Sequence, residues 1–317
     1  MKYHSGQDIT HAATILGGNG LVAIPTETVY GLAANAFNEE AVLKIFEAKK
    51  RPAFDPLIVH CASFEMVSQI SQDFPDTLRK LCAKFWPGPL TVVVEKSHLI
   101  PDLVTSGFST VGIRIPNHPM TLKLLDLLDF PLAAPSANPF TYVSPTSPEH
   151  VANQLGNQVD YILDGGESGI GIESTIVRFR NNTIEILRLG GLSIEEIEVH
   201  VQVPVTIVDS KDNISIPGNF KKHYSNSKDI KLYSQLPEPV YSKDEAWLYF
   251  SKSHCKVPTE NCWFLSENGS TKEAASNLFK MLRAMDVPEI RTVHAELAPT
   301  HGLGPAINDR LKRASAR

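Results

Sequence analysis

The chain has 317 residues, a hydrophobic fraction of 42% and a formal net charge of −5, from 30 Lys and Arg against 35 Asp and Glu. That length suits two domains better than one core, and the hydrophobic fraction is that of a soluble globular protein. The acidic balance argues against a dedicated nucleic-acid binder, and no apolar run approaches the length of a bilayer span.

Residues 21–24 (L-V-A-I) read as a buried strand, and a polar segment, P-T-E-T-V-Y-G-L at 25–32, follows at once. Asn38 has the character of a helix N-cap, with Glu39 and Glu40 in the first turn, where carboxylates suit the helix dipole. Val42, Ile45, Phe46 and Lys49 then share one helical face. Pro52 disfavours helix at Arg51, so the helix is expected to end near Lys49 or Lys50. The next strand runs L-I-V-H into His60. Helices are expected over 64–70 and 76–85, and strands over 90–95 and 111–115. A helix near 119–128 leads into P-L-A-A-P-S-A-N at 131–138, a strand that runs into a turn. Residues 175–179 and 183–188 alternate in β fashion around Asn181-Asn182, a hairpin signal. Ser193 and Glu196 form a capping box for one more helix.

The texture changes over 205–230, with a Pro217-Gly218 pair, scattered Asp, Asn and Ser, and a Lys-rich patch. A polar stretch of this length reads as a linker or a functional lid. Beyond it come strands over 230–233, 246–250 and 263–265. A helix capped by Ser270 and Glu273 follows, with Ala274, Leu278, Leu282 and Met285 on one face. A strand over 291–295 and a closing helix near 303–315 complete a small α/β unit. The expected division is a first domain at 1–206, a linker or lid at 207–230, and a second domain at 231–317. Cys61, Cys82, Cys255 and Cys262 show no C-x-x-C spacing, so they read as packing thiols in a reducing compartment. The opening residues lack the apolar run of a signal peptide. A cytoplasmic location is therefore expected.

The polar segments carry the chemistry. No G-x-x-x-x-G-K-[ST] occurs, and Gly169-Ile170-Gly171 begins a dinucleotide pattern that fails at Ser174. Side chains must then do much of any nucleotide binding. Lys49 and Arg51 offer a point charge and a planar fork, a pair suited to polyphosphate; a solvated helix end is the plainer alternative. Arg114, inside V-G-I-R-I-P, needs either a structural ion pair or a ligand anion. Arg188, in I-L-R-L-G-G, poses the same choice. Thr26, Thr28, Ser136, Asn138, Ser144 and Ser174 are short polar groups near strand ends, and each alone is an ordinary turn former. His60 is either a hydrogen-bonded structural histidine or a ligand contact. No nucleophile–base constellation and no paired carboxylates stand out. The pattern favours holding an anionic substrate over covalent catalysis.

Taken together, P-T-E-T-V-Y-G-L, K-x-R (Lys49, Arg51), W-P-G-P-L-T (86–91), R-I-P-x-H-P (114–119), S-x-N (Ser136, Asn138) and G-x-E-S-T-I-V (171–177) resemble the YrdC-like family. The likeness covers residues 10–200. P-G-x-x-x-x-H-Y (217–224) and G-L-G-x-A-I-x-x-R-L (302–311) resemble its long, two-domain form, the threonylcarbamoyl-AMP synthases. The resemblance implies a twisted α/β domain with an open central cavity, followed by a linker and a smaller Rossmann-like α/β domain. It implies a nucleotidyltransferase that converts L-threonine, bicarbonate or CO2, and ATP to threonylcarbamoyl-AMP and pyrophosphate. That product feeds t6A modification of tRNA. It places Lys49, Arg51, Asp55, Thr110, Ser136, Asn138, Ser144, Arg188 and Tyr224 on the ATP side. Thr28, His60, Arg114, Ala134 and Ser174 fall on the threonine side. Arg114 would pair with the amino-acid carboxylate and Tyr224 would close over the nucleotide. Mg2+ is expected with ATP, and the downstream t6A transferase machinery as a partner.

Two departures from the family pattern are visible. Asp55 stands where Asn is usual, and a carboxylate near phosphate is repulsive unless a cation intervenes, so Asp55→Asn is expected to be tolerated. The linker reads P-G-N and H-Y-S-N where P-G-M and H-Y-A-P are usual. The main rival reading is a double-stranded-RNA or tRNA-binding module without ATP chemistry, which would show salt-dependent RNA affinity. Another is a transferase that starts from carbamoyl phosphate.

Overall fold

The computed structural model describes residues 4–52, 54–208, 224, 228–238, 242–255 and 260–316. In the first domain a short β1 (Ser5–Gly6) precedes α1 (Ile9–Gly17), which Asp8 caps by accepting from the His11 amide. Strands β2 (Val22–Ile24) and β3 (Gly31–Asn35) flank the P-T-E-T segment as an antiparallel pair. Helix α2 (Glu39–Lys49) starts where Asn38 accepts from the Ala41 amide and ends at Lys50, whose φ of 51° is left-handed. Then come β4 (Ile58–His60), α3 (Phe64–Ile70), α4 (Asp76–Phe85), β5 (Leu90–Glu95), α5 (Asp102–Thr105) and β6 (Thr110–Arg114). They are followed by α6 (Pro119–Asp126), β7 (Leu132–Ala133), α7 (Pro148–Gln154) and β8 (Tyr161–Leu163). The hairpin pairs β9 (Thr175–Arg180) with β10 (Thr183–Arg188). Asn181 and Asn182 both have positive φ, as a two-residue turn of the I′ type requires. The capping box of Ser193 and Glu196 starts α8 (Ile194–Glu198), as expected.

One mixed sheet joins these strands in the order β1-β8-β2-β3-β7-β4-β6-β5-β9-β10-β11, where β11 is Val205–Ile207. Residues 205–207 therefore belong to the first domain's sheet, parallel to β10, and not to a linker. The expected lid, including Pro217-Gly218, falls on residues 209–223 and 225–227, which lie outside the described residues. One face of the sheet is packed by the apolar sides of α2, α3 and α4, through Val42, Ile45, Val67, Ile70, Leu78 and Leu81. Near β2, β3 and β7 the other face is covered by α1 and α6, through Ala12, Leu16, Leu124 and Leu125. Farther along, the buried apolar cluster on that second face shrinks, among the described residues, to Ile58, Ile176 and Leu187. There the face forms a concavity.

The second domain is a four-stranded parallel sheet, order β12-β15-β13-β14, from β12 (Asp229–Tyr233), β13 (Glu245–Ser251), β14 (Cys262–Ser266) and β15 (Thr292–Glu296). Helices α9 (Thr271–Ala284) and α10 (Gly304–Ser315) pack on it. Ser270 caps α9, and Ala274, Leu278, Leu282 and Met285 are all buried as the spacing predicts. Glu273 departs from expectation: its carboxylate accepts from the Ser266 hydroxyl and the Glu267 amide. Val29, Val143 and Ile172 of the first domain share a core with Tyr224 and the second domain. Gly171, at φ 79°, is part of this junction. A Cβ there would sit 2.5 Å from the Ser276 Cα of α9, so only glycine fits. Among the described residues no helix is long and apolar enough to cross a membrane.

Candidate functional site

Side chains alternate along a strand, so residues two apart face the same way. Ile58 and His60 on β4, and Thr110, Gly112 and Arg114 on β6, therefore point to one face. Ser174 and Ile176 do the same at the start of β9. On this face two cavities adjoin at Ile58. The larger, about 400 Å3, is lined along the strands by Val93, Thr110, Gly112, Ile176 and Arg178. The smaller, about 50 Å3, lies at the strand ends and is much more cationic.

The P-T-E-T turn builds one wall of the smaller cavity. Thr26 Oγ donates to the Val29 carbonyl at 2.6 Å and accepts from the Thr28 and Val29 amides. Its only proton is thereby used, so the 2.8 Å contact with Thr28 makes Thr28 Oγ the donor. Arg114 Nη1 donates to that same Thr28 oxygen at 2.9 Å. Thr28 is left able only to accept, which suits an N–H or O–H of a ligand. Arg114 also donates from Nε to the Gly88 carbonyl, and its Nη2 pairs with Glu27 at 2.7 Å. The structural ion pair considered for Arg114 thus exists, and the guanidinium still lines the cavity. His60 stands beside it, in register with Arg114 across β4 and β6. Burial, with Arg114 adding to it, pushes His60 down to about 3, so its imidazole is neutral near pH 7.

Lys49 and Arg51 are not solvated. Lys49 ends α2 with its ammonium buried, donating to the Ser136 and Asn138 carbonyls. It thereby fixes the P-S-A-N turn from behind. Burial, then the neighbouring Arg51, depresses Lys49 well below the usual lysine range. Asn138 Nδ2 donates to the Pro139 and Tyr142 carbonyls and holds the next bend. Arg51 lines the cavity and is clamped by Asp55. Its Nη2 is 2.7 Å from the Asp55 carboxylate, and it also donates to the Asp55 and Pro56 carbonyls. Both side chains are buried, at 5% and 1% exposure. Burial lowers the Arg51 pKa, and Asp55 opposes the shift. Asp55 is therefore correctly read as needing a cation, but it sits beneath Arg51 and does not line either cavity. That geometry makes Asp55 the countercharge of Arg51, and on this basis Asp55→Asn should cost stability.

The opposite wall comes from the G-I-E-S-T segment. Arg188 donates from Nε and Nη2 to the Ser174 carbonyl and from Nη2 to the Ser174 hydroxyl. Ser174 Oγ meets Thr91 Oγ1 at 2.7 Å. Burial brings Arg188 down to about 10 against the pull of Glu173. Glu173 takes the Ser144 hydroxyl at 2.6 Å and pairs with Arg310 of α10 at 3.0 Å. Tyr224 closes this side, buried, stacked on Phe279 of α9 with ring centroids 5.2 Å apart.

Of the residues marked in the sequence, Thr28, Arg51, His60, Arg114, Ala134, Ser136, Ser174, Arg188 and Tyr224 line the smaller cavity. Lys49, Asp55, Asn138 and Ser144 stand one contact behind it. Thr110 lines the larger one. Glu27, Glu173 and Arg310 were not marked. Glu173 and Arg310 lie inside quoted motifs, G-x-E-S-T-I-V and A-I-x-x-R-L, where the charged letter was itself the signal.

A family model for Sua5, YciO and YrdC, described as telomere recombination, matches residues 14–190. A second, described as threonylcarbamoyl-AMP synthase, C-terminal domain, matches residues 192–316. The threonylcarbamoyl-AMP synthase of Pyrococcus abyssi is 40% identical over an alignment covering 96% of this chain and 93% of its own. That of Bacillus subtilis is 35% identical, covering 97% and 92%. The crystal structure of P. abyssi Sua5 complexed with L-threonine matches with a TM-score of 0.90 at 36% identity, covering 99% of this chain and 98% of that one.

Proposed function

The chain belongs to the threonylcarbamoyl-AMP synthase family, and we propose how its paired cavities carry out that nucleotidyltransferase reaction. L-Threonine occupies the smaller cavity. Its carboxylate meets Arg114, held ready by Glu27 and Thr28, and its amine donates to Thr28, which can only accept. Neutral His60, the Ala134 main chain and Ser174 complete that pocket. The nucleotide extends along the same face, past Arg51 and Ile58 toward Thr110, because the smaller space is too tight for it. Arg51 and Arg188 face its phosphates. Lys49, Asn138 and Ser136 shape the turn beside them, Ser144 reaches the same side through Glu173, and Tyr224 covers it. Asp55 contributes by aiming Arg51.

The chemistry needs no protein nucleophile. The neutral threonine nitrogen attacks carbon dioxide and releases a proton to solvent, or attacks the carbon of bicarbonate with loss of water, and forms a carbamate. A carbamate oxygen attacks the α-phosphorus and pyrophosphate leaves in line. The cations offset the charge that develops on the phosphates. Mg2+ comes with ATP. Among the described residues no set of three His, Cys, Asp or Glu side chains is placed to hold a metal. Asp55 and Glu173 are each committed to an arginine. This donor set suits an ion carried on phosphate oxygens and water, not a protein cage. When bound, it would neutralise phosphate charge.

The observation that carries the reading is the acceptor-only Thr28 beside a buried, prepositioned Arg114. Together they match an amino acid's amine and carboxylate. The product would pass to the t6A transferase machinery acting on tRNA, in the cytoplasm. The test is pyrophosphate release from ATP with threonine and bicarbonate omitted in turn. Release is expected only when both are present, and threonine-independent release would refute the reading.

A further inference from the structure

Arg310 lies in the second domain, 137 residues from Glu173 in sequence, yet it is fully buried against the site. Its Nε and Nη2 both donate to Glu173 Oε2, at 3.1 and 3.0 Å. Its Nη1 donates to the Leu189 carbonyl at 2.6 Å and pairs with Asp309 at 3.0 Å. Its guanidinium carbon lies 5.6 Å from the Tyr224 ring centre. We infer that Arg310 is a positioning residue of the synthase site, through which the second domain sets the nucleotide-side wall. This rests on the assignment of Ser144, Arg188 and Tyr224 to the nucleotide side.

The geometry explains how one residue reaches all three. Glu173 has one oxygen on Arg310 and the other accepting from Ser144 at 2.6 Å, so fixing Glu173 fixes the Ser144 hydroxyl. Leu189, whose carbonyl Arg310 holds, directly follows Arg188. The Tyr224 ring is in contact with both the Arg310 cation and the Phe279 ring. A fork with donors in fixed directions can make these contacts together; an ammonium cannot. The rest of the domain supports the same wall. Helix α9 packs against the Gly171 backbone, just before Glu173. Arg283 of α9 donates to the Val143 carbonyl, just before Ser144, and to Gln154. Both backbones that present the wall are thus held from the second domain. A short buried contact to a carboxylate is also hard to lose by side-chain motion, because the partner would be left charged and unpaired.

The test uses the full-length chain. Arg310→Lys keeps the charge and loses the fork; Arg310→Met loses both. Steady-state pyrophosphate release would be measured against ATP at saturating threonine, and against threonine at saturating ATP. The KM for ATP is expected to rise about 10- to 100-fold in Arg310→Met, the equivalent of about one charge-assisted contact to the nucleotide lost through the displaced wall. The rise should be smaller in Arg310→Lys, and the KM for threonine should change less than threefold in both. Glu173→Gln should raise the KM for ATP as well. Combining it with Arg310→Met should add little, since the two act as one unit. If Arg310→Met does not fold, Arg310→Lys and Glu173→Gln decide. An unchanged ATP KM in folded Arg310→Lys and Glu173→Gln overturns the inference, as does an equal rise for threonine. Absence of threonine-dependent release in the wild-type chain would instead mark failure of the functional assignment.

Discussion

Replacing Asp55 by Asn tests whether this carboxylate repels phosphate or aims an arginine. The two accounts predict opposite results. Asp55 is buried at 0% exposure, and its carboxylate lies 2.7 Å from Arg51 Nη2. Arg51 keeps two carbonyl acceptors, those of Asp55 and Pro56, after the substitution. What it loses is the countercharge. Deleting one partner of a buried pair costs about 3–5 kcal/mol, and a single charge-assisted hydrogen bond contributes about 1.5–3 kcal/mol. Asparagine still offers a neutral oxygen, so the expected loss is the lower figure, about 2 kcal/mol. At roughly 2–4 °C per kcal/mol for a large domain, Tm should fall by about 4–8 °C. The freed guanidinium should also hold phosphate less well, raising the KM for ATP several-fold while the KM for threonine stays put. Thermal unfolding and pyrophosphate-release kinetics on the same preparation read both effects. A Tm within about 1 °C of wild type, with an unchanged or lower ATP KM, would refute the clamp and restore the repulsion account.

The remaining predictions concern His60 and substrate choice. An unfolded histidine titrates near 6.5, whereas buried His60 is held down to about 3. Below pH ~6.5 the unfolded chain takes up a proton that native His60 refuses, so stability is complete above that pH and falls as pH drops toward 3, by about 1.4 kcal/mol per unit. His60→Gln should remove its share of this slope and leave the shares of half-buried His118 and His150, which urea midpoints between pH 7.5 and 5 would reveal; a variant with the wild-type slope would contradict the burial argument. Valine has the size of threonine and lacks its hydroxyl. A site that hydrogen-bonds the hydroxyl would be left with unpaired buried groups, so valine-dependent pyrophosphate release should be lower by orders of magnitude. Comparable release with the two amino acids would show that the hydroxyl is not read.

Much of this chain is legible locally, because the relevant physics acts within a few residues. Asn38, two early glutamates and Pro52 delimit α2, and its apolar spacing sets which face is buried. Two adjacent asparagines specify the β9–β10 turn, and Ser193 with Glu196 starts α8. The polar segments between strands announce the site, and their combination announces the family. Strands such as β3 and β8 lack such punctuation and emerge only from pairing. The site's electrostatics are likewise a tertiary property. Whether Lys49 is solvated or buried, and whether Arg114 has an ion-pair partner, depends on chains far away in sequence. The same holds for Glu173, whose charge is answered by Arg310 from another domain. Sequence specifies which charged groups exist and which strand face each occupies. Only packing decides which opposite charges meet out of water, and that decides which of them hold the site and which remain to hold a substrate.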